Sequence, residues 1–189
     1  MEKTYEKTEI YTPMTELFDR PPVLEGGGIT LRALTLADSA ALGEMATDTE
    51  VYRYLPTFLF EQKYDDAAVV ISRLYDECME GSLILGVYEN REFCGLAEFY
   101  GYKENIHKVS LGYRLQRRCW GRGIATQALG LMVDHLYTAT DVEIITASTM
   151  IDNKASARVL MKNGFELVVH AAGEDWGYDK PTPADKWIR

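Results

Sequence analysis

Arg118-Cys119-Trp120-Gly121-Arg122-Gly123-Ile124-Ala125 stands between an alternating apolar stretch, His107 to Gln116, and an amphipathic one that runs from about Gly123 to Tyr137. The alternation predicts a strand. The recurrence of Ile124, Ala128, Leu129, Met132, Val133 and Leu136 at three- and four-residue spacing predicts a helix with one buried face. At a strand-to-helix turn, Arg-x-x-Gly-x-Gly removes two Cβ atoms where backbone must approach a ligand, and leaves the first helical N–H groups without partners. Those donors, the positive end of the helix dipole and the neighbouring guanidinium groups favour an anion such as a pyrophosphate. A lone Gly-x-Gly is weak evidence. It gains weight from a second segment further on, Asp152-Asn153-Lys154-Ala155-Ser156-Ala157-Arg158-Val159-Leu160-Met161-Lys162-Asn163-Gly164-Phe165, which reads as a short helix stopped by Gly164.

Working outward, residues 1–27 are polar, carry Pro13, Pro21 and Pro22, and end in Gly26-Gly27-Gly28. They read as an extension, packed on the domain or partly mobile, ahead of a domain spanning 28–189. Ile29 to Leu34 alternates as a strand, and Thr35-Leu36-Ala37-Asp38 forms a capping-box pattern that opens a helix to about Thr47. Ala67, Val70, Ile71, Leu74 and Cys78 make the apolar stripe of a helix from Lys63 to Met79. Ser82 to Glu89, Glu92 to Tyr102 and His107 to Gln116 then form an antiparallel meander. Val142 to Met150 reads as a buried strand parallel to the one before the glycine loop. Phe165 to His170 starts a hairpin that returns over Ala184 to Arg189. The order β, α, α, β, β, β, α, β, α, β, β predicts a single-domain α/β (α+β mixed) fold, with a mostly antiparallel mixed sheet of about seven strands, helices on both faces and one parallel pair.

The chain has 189 residues, 47% of them apolar, enough for one well-buried core. No apolar run approaches the roughly 20 residues of a membrane span, and the first residues lack a signal peptide's apolar stretch, so a cytoplasmic protein with no membrane partner is expected. Cys78, Cys94 and Cys119 form no Cys-x-x-Cys pair, which argues against a metal site or a disulfide framework. A net charge of −9 argues against nucleic acid as a partner. Against that background Arg114, Arg117, Arg118 and Arg122 crowd one stretch, and Lys154, Arg158 and Lys162 recur at four-residue spacing. The local reversal of sign marks an anion site, or is a set of ordinary solvated charges.

The two segments, in this order, resemble the GNAT superfamily of acetyl-coenzyme A-dependent N-acetyltransferases, over roughly residues 28 to 170. The Asn-x-x-Ser-x-x-x-Leu-x-x-x-Gly-Phe form is most similar to the RimJ/RimL branch, named for ribosomal-protein N-terminal acetyltransferases. The resemblance implies acetyl-CoA as co-substrate, entering where the strand before the glycine loop and the strand after the long helix splay apart. It implies that the backbone of Tyr113, Arg114 and Leu115 pairs with the pantetheine amides. The N–H groups of Gly121, Arg122, Gly123, Ile124, Ala125 and Thr126 would cradle the pyrophosphate, with Arg118 and Arg158 among the cofactor-binding residues. Trp120 either covers the adenine or packs beneath the loop. Asn153 meets the pantetheine chain, caps its own helix, or does both.

Acetyl transfer to an amine needs a neutral amine, a donor for the oxyanion and a proton for the departing thiolate. Many family members place a tyrosine seven residues after the asparagine for that proton. This chain has Leu160 there, and Ser156 is the substitute that the branch resemblance implies, unless it is merely a surface residue of the helix. The branch often carries a glutamate two residues before the Gly-Tyr of the strand, where this chain has Ser110. With the preceding hairpin centred on Glu104, Glu98 falls directly across from Ser110 and becomes the candidate base, acting directly or through water. Cys119, in the phosphate loop, and His107, His135 and His170, which are scattered, receive no catalytic role. Glu174-Asp175-Trp176 either contacts a cationic group or forms a solvated turn. The expected acceptor is a peptide or protein N-terminal amine; a small cationic amine is the rival within the class, and a non-catalytic acyl-CoA-binding protein the rival outside it. A homodimer is compatible with the sequence but fixed by nothing in it.

Overall fold

The computed structural model describes residues 13–77 and 82–189. Their elements, in chain order, are α1 (Met14–Asp19), β1 (Leu24–Gly26), β2 (Ile29–Arg32), α2 (Ser39–Ala46), α3 (Thr49–Tyr52), α4 (Ala67–Glu77), β3 (Leu83–Glu89), β4 (Glu92–Lys103), β5 (Lys108–Leu115), α5 (Ile124–Ala139), β6 (Ile144–Met150), α6 (Lys154–Lys162), β7 (Glu166–Glu174) and β8 (Thr182–Ile188). The strands form one sheet in the order β1-β2-β3-β4-β5-β6-β8-β7. Every pairing is antiparallel except β5 with β6. No helix among the described residues is long and apolar enough to cross a membrane.

Helices cover both faces, as the patterning predicts. On one face α5 buries Ile124, Ala128, Leu129, Met132, Val133 and Leu136 against Leu31, Leu85, Ala97, Phe99 and Leu111 of the sheet. On the other, Leu42 and Met45 of α2 and Val70, Ile71 and Leu74 of α4 pack on Ile84 and Leu96. The helix expected from Lys63 begins four residues later, at Ala67, because the Asp66 carboxylate accepts the Ala68 N–H at 2.8 Å and caps it there. Its expected end, including Cys78, lies outside the described residues.

Among the described residues the sheet has eight strands rather than about seven. The additional one is β1, which comes from the stretch read as an N-terminal extension. Leu24 is buried, and so are Met14 and Leu17 of α1, which join the core beneath α5. A three-residue strand carries too little alternation to be visible in sequence.

A register expectation also needs correction. Glu98 pairs with Gly112, and Ser110 pairs with Tyr100, so Glu98 does not face Ser110 directly. A bulge between Tyr100 and Lys103, where Gly101 has φ +61°, moves the hairpin centre. The displacement along the partner is two residues, an even number, so Glu98 and Ser110 keep the same face of the sheet.

The parallel pair decides where a ligand can enter. Only Lys108, Val109 and Ser110 of β5 pair with Ile144, Ile145 and Thr146 of β6. Ser110 and Thr146 close the paired stretch with a 2.8 Å hydroxyl–hydroxyl hydrogen bond. Beyond it the strands part, and β5 runs on to Leu115 bonded to β4 alone.

Candidate active site

Strand alternation fixes which backbone groups line the opening. Gln116 sends its N–H back to Cys94 of β4 at 2.8 Å, so the groups of Leu115 and Tyr113 turn toward the gap. The Leu115 carbonyl is already taken: Trp120 donates its indole N–H to it at 2.7 Å. Trp120 therefore staples the glycine loop to the end of β5, with its ring half exposed along the cleft wall. Tyr113 keeps its gap-facing N–H and carbonyl for a ligand. On the opposite edge, Gly95 lets β4 come close, since a Cβ there would sit 2.1 Å from the Arg114 carbonyl oxygen.

The glycine loop has the geometry an anion needs. Gly121 and Gly123 have φ of +72° and +83°, in the left-handed region that favours glycine. A Cβ built on Gly121 would meet nothing within 4 Å, so the loop faces open space. Just beyond lie the first-turn N–H groups of α5 at Ile124, Ala125 and Thr126, which have no partner within the helix. This end of the cleft encloses about 340 Å³, and Arg158 and Lys162 of α6 look into it.

The arginine cluster is placed otherwise than its sequence position suggests. Arg122 pairs with Glu89, and Arg117 with Asp48 at 2.6 Å. Arg118 donates to Gln116 and to the Phe93 carbonyl, both at 2.9 Å, with Glu92 at 3.6 Å. None of these three side chains lines the cleft. Arg114 is buried, bound through two guanidinium nitrogens to Glu61 and through the third to Glu98 at 2.8 Å. Burial alone works against its charge, but the two carboxylates outweigh that and hold the guanidinium above its ordinary value. Cation density toward the cleft comes from α6 instead.

A second space of about 200 Å³ opens from the other direction. Tyr54, Phe58, Tyr100 and Trp176 give it aromatic walls, and Glu98, Glu174 and Asp175 give it carboxylates. Within Glu174-Asp175-Trp176, Asp175 is exposed, whereas Trp176 is only 7% exposed. Burial, then the nearby charges of Glu98 and Glu174, push the Tyr100 phenol upward. Tyr54, Glu61 and Tyr100 were not singled out by sequence; Tyr54 and Glu61 lie in the irregular stretch between α2 and α4, far from any motif.

Tyr54, Leu55, Tyr113, Arg114, Asn153 and Ser156 line both spaces, and Tyr113, Asn153 and Ser156 bring β5 and α6 together where they meet. Asn153 caps α6, its side-chain oxygen accepting the Ser156 N–H at 3.1 Å. The Tyr113 hydroxyl donates to Ser156 Oγ at 3.0 Å, and burial pushes that phenol up to about 12 although the serine contact pulls the other way. Leu160 is buried in the core. Cys119 borders the glycine-loop end of the cleft, and the three histidines border neither space.

Comparison with known proteins agrees with this geometry. Residues 29–166 match the acetyltransferase (GNAT) domain model. The uncharacterized N-acetyltransferase YoaA of Bacillus subtilis is 25% identical over 166 residues, covering 87% of this chain and 93% of its own. Among solved structures, RimJ of Mycobacterium smegmatis, in complex with CoA-disulfide, superposes with a TM-score of 0.75 at 21% identity, over 89% of this chain and 85% of its own. RimL, a ribosomal L7/L12 α-N-protein acetyltransferase in complex with coenzyme A, superposes with a TM-score of 0.75 at 16% identity, over 89% of this chain and 97% of its own. With a glycine loop opening α5, strands that part beside it and a domain match over most of its length, the chain belongs to the GNAT acetyltransferase family.

Proposed function

We propose that the protein is an acetyl-coenzyme A-dependent N-acetyltransferase acting on a primary amine, the N-terminal α-amine of a peptide or protein, by direct attack in a ternary complex. The observation that carries this reading is that two spaces of opposite character converge on Tyr113, Asn153 and Ser156. The glycine-loop end offers open space, unpaired N–H groups and the cations Arg158 and Lys162, which suit a diphosphate. The free backbone edge of Tyr113 suits the amides of a pantetheine arm. When bound, acetyl-coenzyme A supplies an acetyl thioester. The chain's part is to hold an amine against it, take a proton from the nitrogen and protect the encounter from water.

Glu98 is the proposed proton acceptor. One of its oxygens is held by Arg114, which fixes the carboxylate against the wall of the second space. The acceptor class follows from cost. Deprotonating an α-amine of pKa about 7.7 takes about 1 kcal/mol at pH 7, against about 4.6 kcal/mol for a lysine amine near 10.4. Of the three carboxylates on this space, the one assigned to this task already has an oxygen held by Arg114, which favours the amine that is easier to deprotonate. RimL, described as acting on a ribosomal-protein α-amine, supports the same class. The aromatic and acidic lining also suits a small cationic amine, which is the second reading.

The test has two stages. Acetyl-coenzyme A at 100 times its dissociation constant is expected to raise stability by about 2.7 kcal/mol, seen as a melting shift. Thiol release is then followed with N-terminal peptides, lysine peptides, polyamines and aminoglycosides. Turnover confined to N-terminal peptides supports the proposal, and turnover confined to polyamines selects the second reading. No melting shift and no thiol release would overturn both.

A further inference from the structure

We propose that Tyr113 supplies, through Ser156, the proton that the departing thiolate takes up; the proposal rests on the acetyl-transfer reading above. Their hydroxyl oxygens lie 3.0 Å apart, and either hydroxyl can donate to the other. When Tyr113 Oη donates to Ser156 Oγ, the serine's own O–H is left for the sulfur, which is the orientation a relay uses. The serine is held from its other side, its N–H anchored on Asn153 Oδ1 at 3.1 Å. Both side chains border both spaces, so the free serine proton lies where the acyl carrier and the amine would meet.

Acid strength decides between the two hydroxyls. An aliphatic alcohol ionises about as reluctantly as water, near 15.7, while a thiol ionises near 8.5. Ser156 alone is thus roughly seven units too weak to be the source of the proton. The phenol behind it, at about 12, closes about half of that gap. Leu160, buried and apolar, means that α6 offers no phenol of its own at this point, and the nearest one comes from β5.

The step balances as follows. As the nitrogen–carbon bond forms and the carbon–sulfur bond breaks, Ser156 gives its Oγ proton to sulfur and receives the Tyr113 Oη proton. The proton shed by the amine nitrogen, taken up by Glu98 and passed to solvent, restores the phenol. Tyr113 acts through the serine and does not itself touch the thioester.

Tyr113→Phe tests this, because it keeps the ring and removes only the hydroxyl. The unmodified protein must first give a melting shift with coenzyme A and release thiol from acetyl-coenzyme A; if it does neither, the parent reading fails rather than this one. Given both, Tyr113→Phe is expected to keep the melting shift, leave the acceptor KM unchanged and lower kcat about 100-fold. A readout that needs no turnover is the ionisation of bound coenzyme A, followed by thiolate ultraviolet absorbance against pH. It should move to higher pH in Tyr113→Phe, since the serine loses the donor that strengthens its bond to sulfur. Ser156→Ala should give the same loss of kcat, and the double variant no more than either alone. An unchanged kcat with an unchanged thiol titration, or losses that multiply in the double variant, would overturn the proposal.

Discussion

Arg114 uses its charge inside the fold, and its two carboxylate partners do different work. Glu61 meets it from a 3-10 turn 53 residues earlier in the chain, and both side chains are buried. Removing one member of such a pair leaves the other charge without compensation, at a cost of about 3–5 kcal/mol. Glu98 shares the same guanidinium but also faces the space proposed for the amine. Glu61→Gln is therefore expected to lower the unfolding free energy by about 3 kcal/mol or more in urea titrations. Glu98→Gln, which leaves Arg114 paired with Glu61, should cost only about 1 kcal/mol. Its effect should fall on turnover, lowered about 100-fold in a thiol-release assay. Equal losses of stability in the two variants would show that Glu98 is structural. The pairing also explains why the arginine cluster was misleading. A count of nearby cations reads local sign, whereas Asp48, Glu61, Glu89 and Glu92, which absorb those charges, are brought in by the fold.

At the scale of elements, what was legible in the sequence is what is encoded locally. The glycine loop with α5, the meander β3–β5 and the α6 cap each carry their pattern in consecutive residues, and each is found where the periodicity puts it. The strand β1 is too short to alternate, and the bulge that resets the β4–β5 register and the aromatic wall from the β7–β8 hairpin arise from how the strands pair and pack. No local pattern encodes them. The Thr35–Asp38 capping box, on the 3-10 turn that leads into α2, belongs to the legible class and carries a pH prediction. Asp38 accepts the Thr35 N–H at 2.8 Å and the Thr35 hydroxyl at 3.0 Å, and it pairs with Arg32 at 3.2 Å. Burial would raise its pKa, but these donors and Tyr88 outweigh it and lower the carboxyl from its ordinary value. A carboxylate depressed in the folded state stabilises the fold above its unfolded pKa, about 3.9, and that contribution is lost as pH falls through the depressed value. Asp38→Asn should accordingly be less stable than the parent at neutral pH, with the difference shrinking below about pH 4 in acid-unfolding curves. A difference independent of pH would mean that the carboxylate's charge contributes nothing.

Across the whole molecule, the opening between β5 and β6 is approached from two sides by different parts of the chain. One side is built from the glycine loop, α5 and α6, and the other from residues 56–59 and the β7–β8 hairpin, with Tyr54 and Leu55 bordering both. The second pair is latched: the Thr57 N–H reaches the Trp176 carbonyl at 3.0 Å, and the Tyr178 hydroxyl reaches the Leu55 carbonyl at 2.9 Å. At the latch Gly177 has φ +79°, in the left-handed region that favours glycine, and a Cβ there would come within 2.0 Å of Thr57 Oγ1 and displace that hydroxyl. Trp176 lines the amine side alone, and Lys162 lines the glycine-loop side alone. If the two sides hold different ligands, changes to these residues must separate. Lys162→Glu is expected to weaken coenzyme A binding about tenfold, equivalent to about 1.4 kcal/mol, more strongly at low salt than at high, while leaving the acceptor KM unchanged at saturating donor. Trp176→Phe should do the reverse, raising the acceptor KM while the melting shift produced by coenzyme A stays as in the parent. Calorimetric titration of coenzyme A and acceptor-dependent kinetics measure the two effects separately. Loss of coenzyme A binding in Trp176→Phe would mean that the two spaces form one ligand site, and the assignment of one side to each substrate would fall.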